Sequence, residues 1–249
     1  MAIKNIQTSH LVHDLKNPAN IIEMGARTLL DKQDSYGGLS SKQIKIVKRM
    51  LRSALKIKQL ANSMLEVDMG SRGITRASDS TLSDILRAAL IEVFDVVEPA
   101  ISESLEQAST VETLRKVLDA HHVFLEAKDH HLTKRIRIDD TKLGLVLTNL
   151  LSNALKFKRE NIFLRCSAEG EAITVSVRDD GPGIPEPYHE QVFDQYFQCV
   201  PSEGFPVRGH GLGLAGAQAL TEALGGRLYL CKTRRGAEFV VEVHCANDK

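Results

Sequence analysis

The 249-residue chain lacks an excess of charge of either sign: Lys plus Arg equals Asp plus Glu, at 32 each. Nothing in that balance calls for nucleic acid or an anionic membrane surface as the main partner. It also lacks a long apolar run. No stretch approaches the roughly 18 residues needed to span a bilayer, and the N-terminal Met1-Ala2-Ile3-Lys4-Asn5 leads into no signal-peptide core. Cysteine is sparse and scattered. Cys166, Cys199, Cys231 and Cys245 form no CxxC pair, which argues for reduced thiols packed as small hydrophobes rather than zinc ligands or disulfides. A soluble, cytoplasmic chain with no membrane segment of its own is expected.

What is present is a substantial apolar fraction, 43%, enough for one large domain or two small ones. Residues 3–30 carry apolar side chains at helical spacing (Ile6, Leu11, Leu15, Ile22, Leu29), and Asp34-Ser35-Tyr36-Gly37-Gly38 breaks the pattern. Ser40 and Gln43 then form a capping-box signature ahead of Ile44, Val47, Leu51, Ala54, Ala61 and Leu65. The spacing predicts an antiparallel helical hairpin over 1–69. Its stripes need a second copy of the hairpin, giving a dimeric four-helix bundle, unless they pack on the rest of the chain. Gly70 to Ser80 reads as a linker. Beyond it, 81–249 mixes helical patterns over 81–118, 141–158, 187–197 and 211–224 with strand patterns over 123–127, 135–139, 161–167, 172–178, 227–232 and 237–244. Antiparallel strands backed by helices predict an α+β sandwich. The helical material near 95–122 has no assigned place.

Three separated signals point to a nucleotide. Asn149 and Asn153 lie one turn apart on a helix, with Lys156 on the same side, and neutral amide oxygens suit Mg2+ beside phosphates, although such Asn pairs are commonly just solvated. Asp179-Asp180-Gly181-Pro182-Gly183-Ile184 follows a strand; a carboxylate there can accept from an adenine amino group, or the run is an ordinary strand exit. Gly209-His210-Gly211-Leu212-Gly213-Leu214 opens a helix whose free N–H groups and dipole favour an anion.

In order and spacing these runs resemble the N, G1 and G2 boxes of the Bergerat-fold ATPases, and Val192 to Phe197 looks like the F box of the histidine kinases. The resemblance covers roughly 135–245. It implies ATP and Mg2+ as cofactors, with Asn153 and Asn149 toward the metal. It also implies a nucleotide site of Asn149, Asn153, Lys156, Phe157, Asp179, Gly181, Gly183, Ile184, Phe193, Phe197, Arg208, Gly209, Gly211, Leu212 and Gly213. Residues 198–208 would form a lid, with Arg208 either reaching a phosphate or solvated.

Upstream, His13-Asp14-Leu15-Lys16-Asn17-Pro18 resembles the H box of sensor histidine kinases. This implies an autophosphorylating protein-histidine kinase: His13 as acceptor, Asp14 taking the proton from its other ring nitrogen, and Asn17 orienting water for the reverse dephosphorylation. It also implies a homodimer and a response-regulator receiver domain as partners. A catalytically silent phosphotransfer or scaffold protein that keeps the fold is the alternative. His10 has no acidic neighbour, and the pairs His121-His122 and His130-His131 have no completing ligands. With twelve residues before His13 and no sensor, a fragment of a longer kinase is expected.

Overall fold

The computed structural model describes residues 8–72, 77–194, 196–198 and 211–245, in two units, Met1–Asp68 and Met69–Lys249. In the first unit, α1 (Thr8–Asp31) and α3 (Ser41–Arg72, which runs on past the unit's boundary) are joined through the single turn α2 (Gln33–Tyr36). The capping box is formed: the Gln43 side chain accepts from the Ser40 N–H at 2.8 Å, and Ser40 Oγ accepts from the Gln43 N–H at 3.3 Å. Each helix buries small side chains seven residues apart, Val12, Ala19 and Ala26 on α1, Val47, Ala54 and Ala61 on α3. Glu23, largely buried, accepts from Arg27 on its own helix and from Lys58 on α3 at 2.7 Å. A second seven-residue stripe, Leu15, Ile22 and Leu29, is 37%, 44% and 37% exposed, and Met50 and Ile57 on α3 are similarly open.

The second unit is an α+β sandwich. The run read as one helix over 81–118 is three: α4 (Leu82–Val97), α5 (Pro99–Gln107) and α6 (Val111–Ala120). Thr81 caps α4, accepting from the Asp84 N–H; Pro99 stands at the first position of α5, where its missing N–H costs nothing; Thr110 and Thr113 form a capping box for α6. Ile101, Leu105, Leu114 and Leu118 put α5 and α6 into the same core as Leu86 and Leu90 of α4. This gives the segment 95–122 its place.

The strands are β1 (Ser78–Thr81), β2 (Val123–Glu126), β3 (Arg135–Ile138), β4 (Ile162–Glu169), β5 (Ala172–Asp179), β6 (Arg227–Cys231) and β7 (Glu238–His244). β1 begins inside the span read as a linker and pairs with β3. The main sheet runs β2-β4-β5-β7-β6; the expected antiparallel strands form it, and β2 adds to one edge in parallel with β4. A parallel neighbour needs a crossover, and here α7 (Asp129–Thr133), β3 and α8 (Asp140–Phe157) supply it. Alternation directs Ile162, Leu164 and Cys166 of β4, Ile173, Val175 and Val177 of β5, and Phe239, Val241 and Val243 of β7 into the core. There they meet Leu143, Leu147, Leu150 and Leu151 of α8 and Ala217 and Leu220 of α9 (Gly213–Ala223). The helix read over 187–197 is two short 3-10 turns, Glu186–Tyr188 and Gln191–Phe193, since Pro185 and Pro187 disfavour a continuous helix there. His121 and His122 end α6, His122 with a φ of 59°, while His131 is buried and accepts from the Ala168 N–H at 2.9 Å.

Candidate functional site

The last residue of β5 falls on the core side of the strand, so its carboxylate is sunk where the pattern would place an aliphatic side chain. Asp179 is only 5% exposed. Its Oδ1 accepts from the Gly181 N–H at 2.8 Å and the Ala237 N–H at 3.3 Å, while no donor among the described residues reaches Oδ2. Burial pushes the carboxyl above its ordinary range, and the backbone donors only partly offset that. Asp179 is also tied through its own N–H, which donates to the Ala237 carbonyl at 3.0 Å. Gly236, with a φ of +77°, lies against the Asp179 carbonyl so closely that any Cβ would collide.

The neighbouring Asp180 does the opposite work. Its two oxygens accept from the backbone N–H groups of Arg159, Glu160 and Asn161 and from the Asn161 side-chain amide, at 2.8 to 3.1 Å. Burial would raise its pKa, but these four donors together win and hold it low. Asp180 therefore closes the turn between α8 and β4 and keeps its charge, leaving Asp179 as the carboxylate with an open face.

Helix α8 joins the three sequence boxes. Gly181 packs on the Phe157 carbonyl at the helix end, at a distance that admits no side chain. At the other side, a Cβ on Gly213 would come within 2.7 Å of Asn149 Oδ1, so α9 starts directly over the first Asn of the N-box run. Asn149 also donates to the Leu145 carbonyl, and Lys156 sits with its ammonium 4.8 Å from the Phe157 ring centroid. Asn153 is half-buried, and no hydrogen bond to its side chain occurs among the described residues. Gly211 takes a φ of +67°, and its carbonyl accepts from the Tyr196 N–H at 2.8 Å; Leu212 is buried at the start of α9.

The F-box rings are held by other aromatic rings. Phe193 meets Phe239 edge-on, 6.1 Å between centroids, and Phe197 lies 5.6 Å from Tyr188; both pack against the core. Gly183 (φ +76°) and Ile184 continue the turn after Asp179, Gly183 lying against the Gly236 carbonyl. Arg208 and Gly209, like residues 199–207 of the expected lid, lie outside the described residues. On α1, Asp14 and Asn17 are exposed; His13 is carried by the same helix, its side chain outside the description, and Pro18 stands inside it. Among the described residues no cluster of three His, Cys, Asp or Glu could hold a metal ion, so a cation here would depend on amide and phosphate oxygens. Asn149, neutral and against the start of α9, and Asn153 one turn further along α8 fit that donor set.

Sequence reading missed Gly236 and Ala237, although Arg235-Gly236-Ala237 ahead of a strand is a turn signal, and it missed the role of Asp180, which acts on backbone twenty residues away.

Residues 138–247 match the model of the histidine kinase-, DNA gyrase B-, and HSP90-like ATPase family. The chain carries a histidine-kinase-type ATP-binding catalytic core. It is 27% identical over 240 residues to the aerobic respiration control sensor protein ArcB of Escherichia coli, covering 95% of this chain and 28% of that protein. It is 30% identical over 234 residues to the circadian input-output histidine kinase CikA of Synechococcus elongatus, covering 92% and 28%. This histidine-kinase-type core thus spans little more than a quarter of those relatives. Among solved structures, the full-length ShkA complex with AMPPNP superposes with a TM-score of 0.63 at 22% identity, over 97% of this chain and 46% of that one, and shares the fold. The Acinetobacter baumannii histidine kinase AdeS superposes at 0.54 with 16% identity, over 94% and 98%. No helix among the described residues is long and apolar enough to cross a membrane.

Proposed function

We propose that this chain is an autophosphorylating protein-histidine kinase that moves the γ-phosphoryl group of ATP to His13 and then to an aspartate of a response-regulator receiver domain. The observation that carries the nucleotide part is Asp179: a buried carboxylate with Oδ1 engaged by two backbone donors and Oδ2 open to an adenine amino group. Gly181 packs on the Phe157 carbonyl at the end of α8 and Gly213 on Asn149 within it, which supports a nucleotide bound along the N-box helix between the adenine reader and the start of α9. Asn153 and Asn149 would hold Mg2+, which when bound neutralises phosphate charge, and Lys156 would meet a phosphate oxygen. The start of α9, which has no side-chain cap, would offer its N–H groups to the phosphates.

On α1 the His13 ring would attack the γ-phosphorus with one nitrogen lone pair. An N–P bond forms as the bond to the bridging oxygen of the β-phosphate breaks, ADP leaves, and Asp14 accepts the proton of the other ring nitrogen. Pro18 lacks the N–H that would bond the Asp14 carbonyl, which loosens the helix at the reacting turn. Asn17, one turn on, would orient water for dephosphorylation of the receiver. The open stripe of Leu15, Ile22 and Leu29 supports a homodimer through the hairpin, since a second copy would bury it. ATP as phosphoryl donor places this chemistry in the cytoplasm.

Incubation with γ-labelled ATP and Mg2+ tests the reading. Label should be lost in acid, survive alkali, and be absent from His13→Ala. An unlabelled wild type, or full labelling of His13→Ala, overturns it. Asn17→Ala should keep the label and lose receiver dephosphorylation.

A further inference from the structure

We propose that the second unit holds a second ligand site, for a small carboxylated or phosphorylated anion, behind the turn that follows Asp179. The turn from Pro182 to His189 and the β6–β7 hairpin from Leu230 to Ala237 enclose a cavity of about 490 Å³, a size usual for small-molecule sites. Pro182, Ile184, Pro185, Leu230 and Ala237 contribute apolar lining beside the polar groups, and Nε2 of His189 is held at 2.8 Å by the Ile184 carbonyl.

Charge on this cavity is one-sided. Lys232, Arg234 and Arg235 line it against the single carboxylate of Glu186. Lys232 and Glu186 satisfy each other in an exposed pair at 2.5 Å. No carboxylate among the described residues pairs with Arg234 or Arg235, which leaves two guanidinium groups available at the cavity they line. Two planar forks with ten N–H donors between them match the oxygens of carboxylate or phosphate groups.

The site is distinct from the nucleotide pocket yet attached to it. Gly183 and Gly236 touch, forming a wall one backbone thick between this cavity and Asp179. Thr233 Oγ1 donates to the Gly236 carbonyl at 2.7 Å, and the Ala237 N–H donates to Asp179 Oδ1, so the arginine turn is bonded directly to the residue that would read adenine. An anion drawing in Arg234 and Arg235 fixes that turn in the conformation that holds Asp179 in place. Nucleotide affinity then rises when the anion is bound, and by linkage the anion binds more tightly beside nucleotide. Only this coupling rests on the proposed nucleotide site.

Calorimetry on the full chain decides it, with citrate in one arm and inorganic phosphate in the other, each before and after saturation with ADP and Mg2+. At least one anion should bind with ADP present, and the double variant Arg234→Ala/Arg235→Ala should weaken it by about tenfold or more. Arg234→Lys/Arg235→Lys should recover part of the loss, and Asp179→Asn should bind the anion as before. An unchanged thermal midpoint in the arginine variants excludes unfolding as the cause. Binding by neither anion, binding indifferent to the arginines, or displacement by ADP overturns the site; loss of ADP binding alone in Asp179→Asn overturns nothing here and bears only on the nucleotide reading. An ADP affinity unmoved by saturating anion overturns the coupling.

Discussion

The two units bury different things. The ATPase unit sinks large aliphatic side chains, among them Leu82, Leu86, Leu118, Leu132 and Leu147, each essentially inaccessible. Among its described residues the helical hairpin sinks valine and alanine, and leaves Ile21, Ile22, Met24, Ile46 and Met50 between 44% and 70% exposed. Burying a leucine side chain stabilises by about 1.5–3 kcal/mol, whereas an alanine contributes a fraction of that. The second unit therefore holds its fold with its own core. Among the described residues of the hairpin, helix contact is close but little large apolar surface is buried, and further apolar area lies on the open stripe.

Removing bulk from each region breaks the comparison most directly. Leu147→Ala should cost about 2–5 kcal/mol in denaturant unfolding of the ATPase unit, while Ile22→Ala in the hairpin should barely alter the unfolding of an isolated monomer. Equal losses in both would mean that the hairpin holds a large-side-chain core of its own. Next, Ile22→Asn combined with Ile57→Asn should shift the chain to a monomer in sedimentation at micromolar concentration, with the ATPase unit's unfolding transition unmoved. A strict monomer in the wild type removes the dimer altogether.

The paired aspartates sharpen the contrast inside the ATPase unit. Asp180→Ala strands three backbone donors and should cost about 1–2 kcal/mol, the partial exposure of the turn limiting the loss. Because its folded pKa lies below the unfolded one, the stability Asp180 adds is present above the unfolded carboxylate pKa and is lost as pH falls through the folded value. Asp179 carries the opposite sign. Its raised folded pKa means that the charged carboxylate costs stability at neutral pH, and the cost is relieved as pH drops below the folded value. Asp179→Asn keeps an oxygen for the Gly181 and Ala237 donors, so its thermal midpoint at pH 7 should equal or exceed the wild type while ATP affinity collapses. A midpoint several degrees lower would mean that Asp179 is a structural group. The smallest effect is expected for Glu23→Gln, whose change is confined to one helix pair; hairpin melting should fall modestly and nucleotide binding not at all.

The legible parts of this fold were those written in local chemistry. Ser40 with Gln43, the alternation of Ile173, Val175 and Val177, and the glycines after Asp179 each act within a few residues, and each was visible in the sequence. The helix breaks at Glu98 and Ala108 were masked by apolar spacing that continues across them, although Pro99 was there to be read. β1 was hidden because Ser78-Asp79-Ser80-Thr81 is polar and owes its strand to pairing with β3. The parallel edge of the sheet and the grip of Asp180 on residues 159–161 depend on contacts between distant segments, which no local pattern encodes. The edge contact between Phe193 and Phe239 likewise joins segments more than forty residues apart.

The seven-residue spacing of Val12, Ala19 and Ala26 and of Val47, Ala54 and Ala61 carries one more consequence. Seven residues fall about 20° short of two turns of a straight helix, so helices that keep such a seam wind about one another in a left-handed supercoil. Phase along that coil is then shared: one residue inserted between Ala19 and Ala26 turns everything beyond it by about 100°, and the turn carrying His13 no longer faces in step with the rest of the seam.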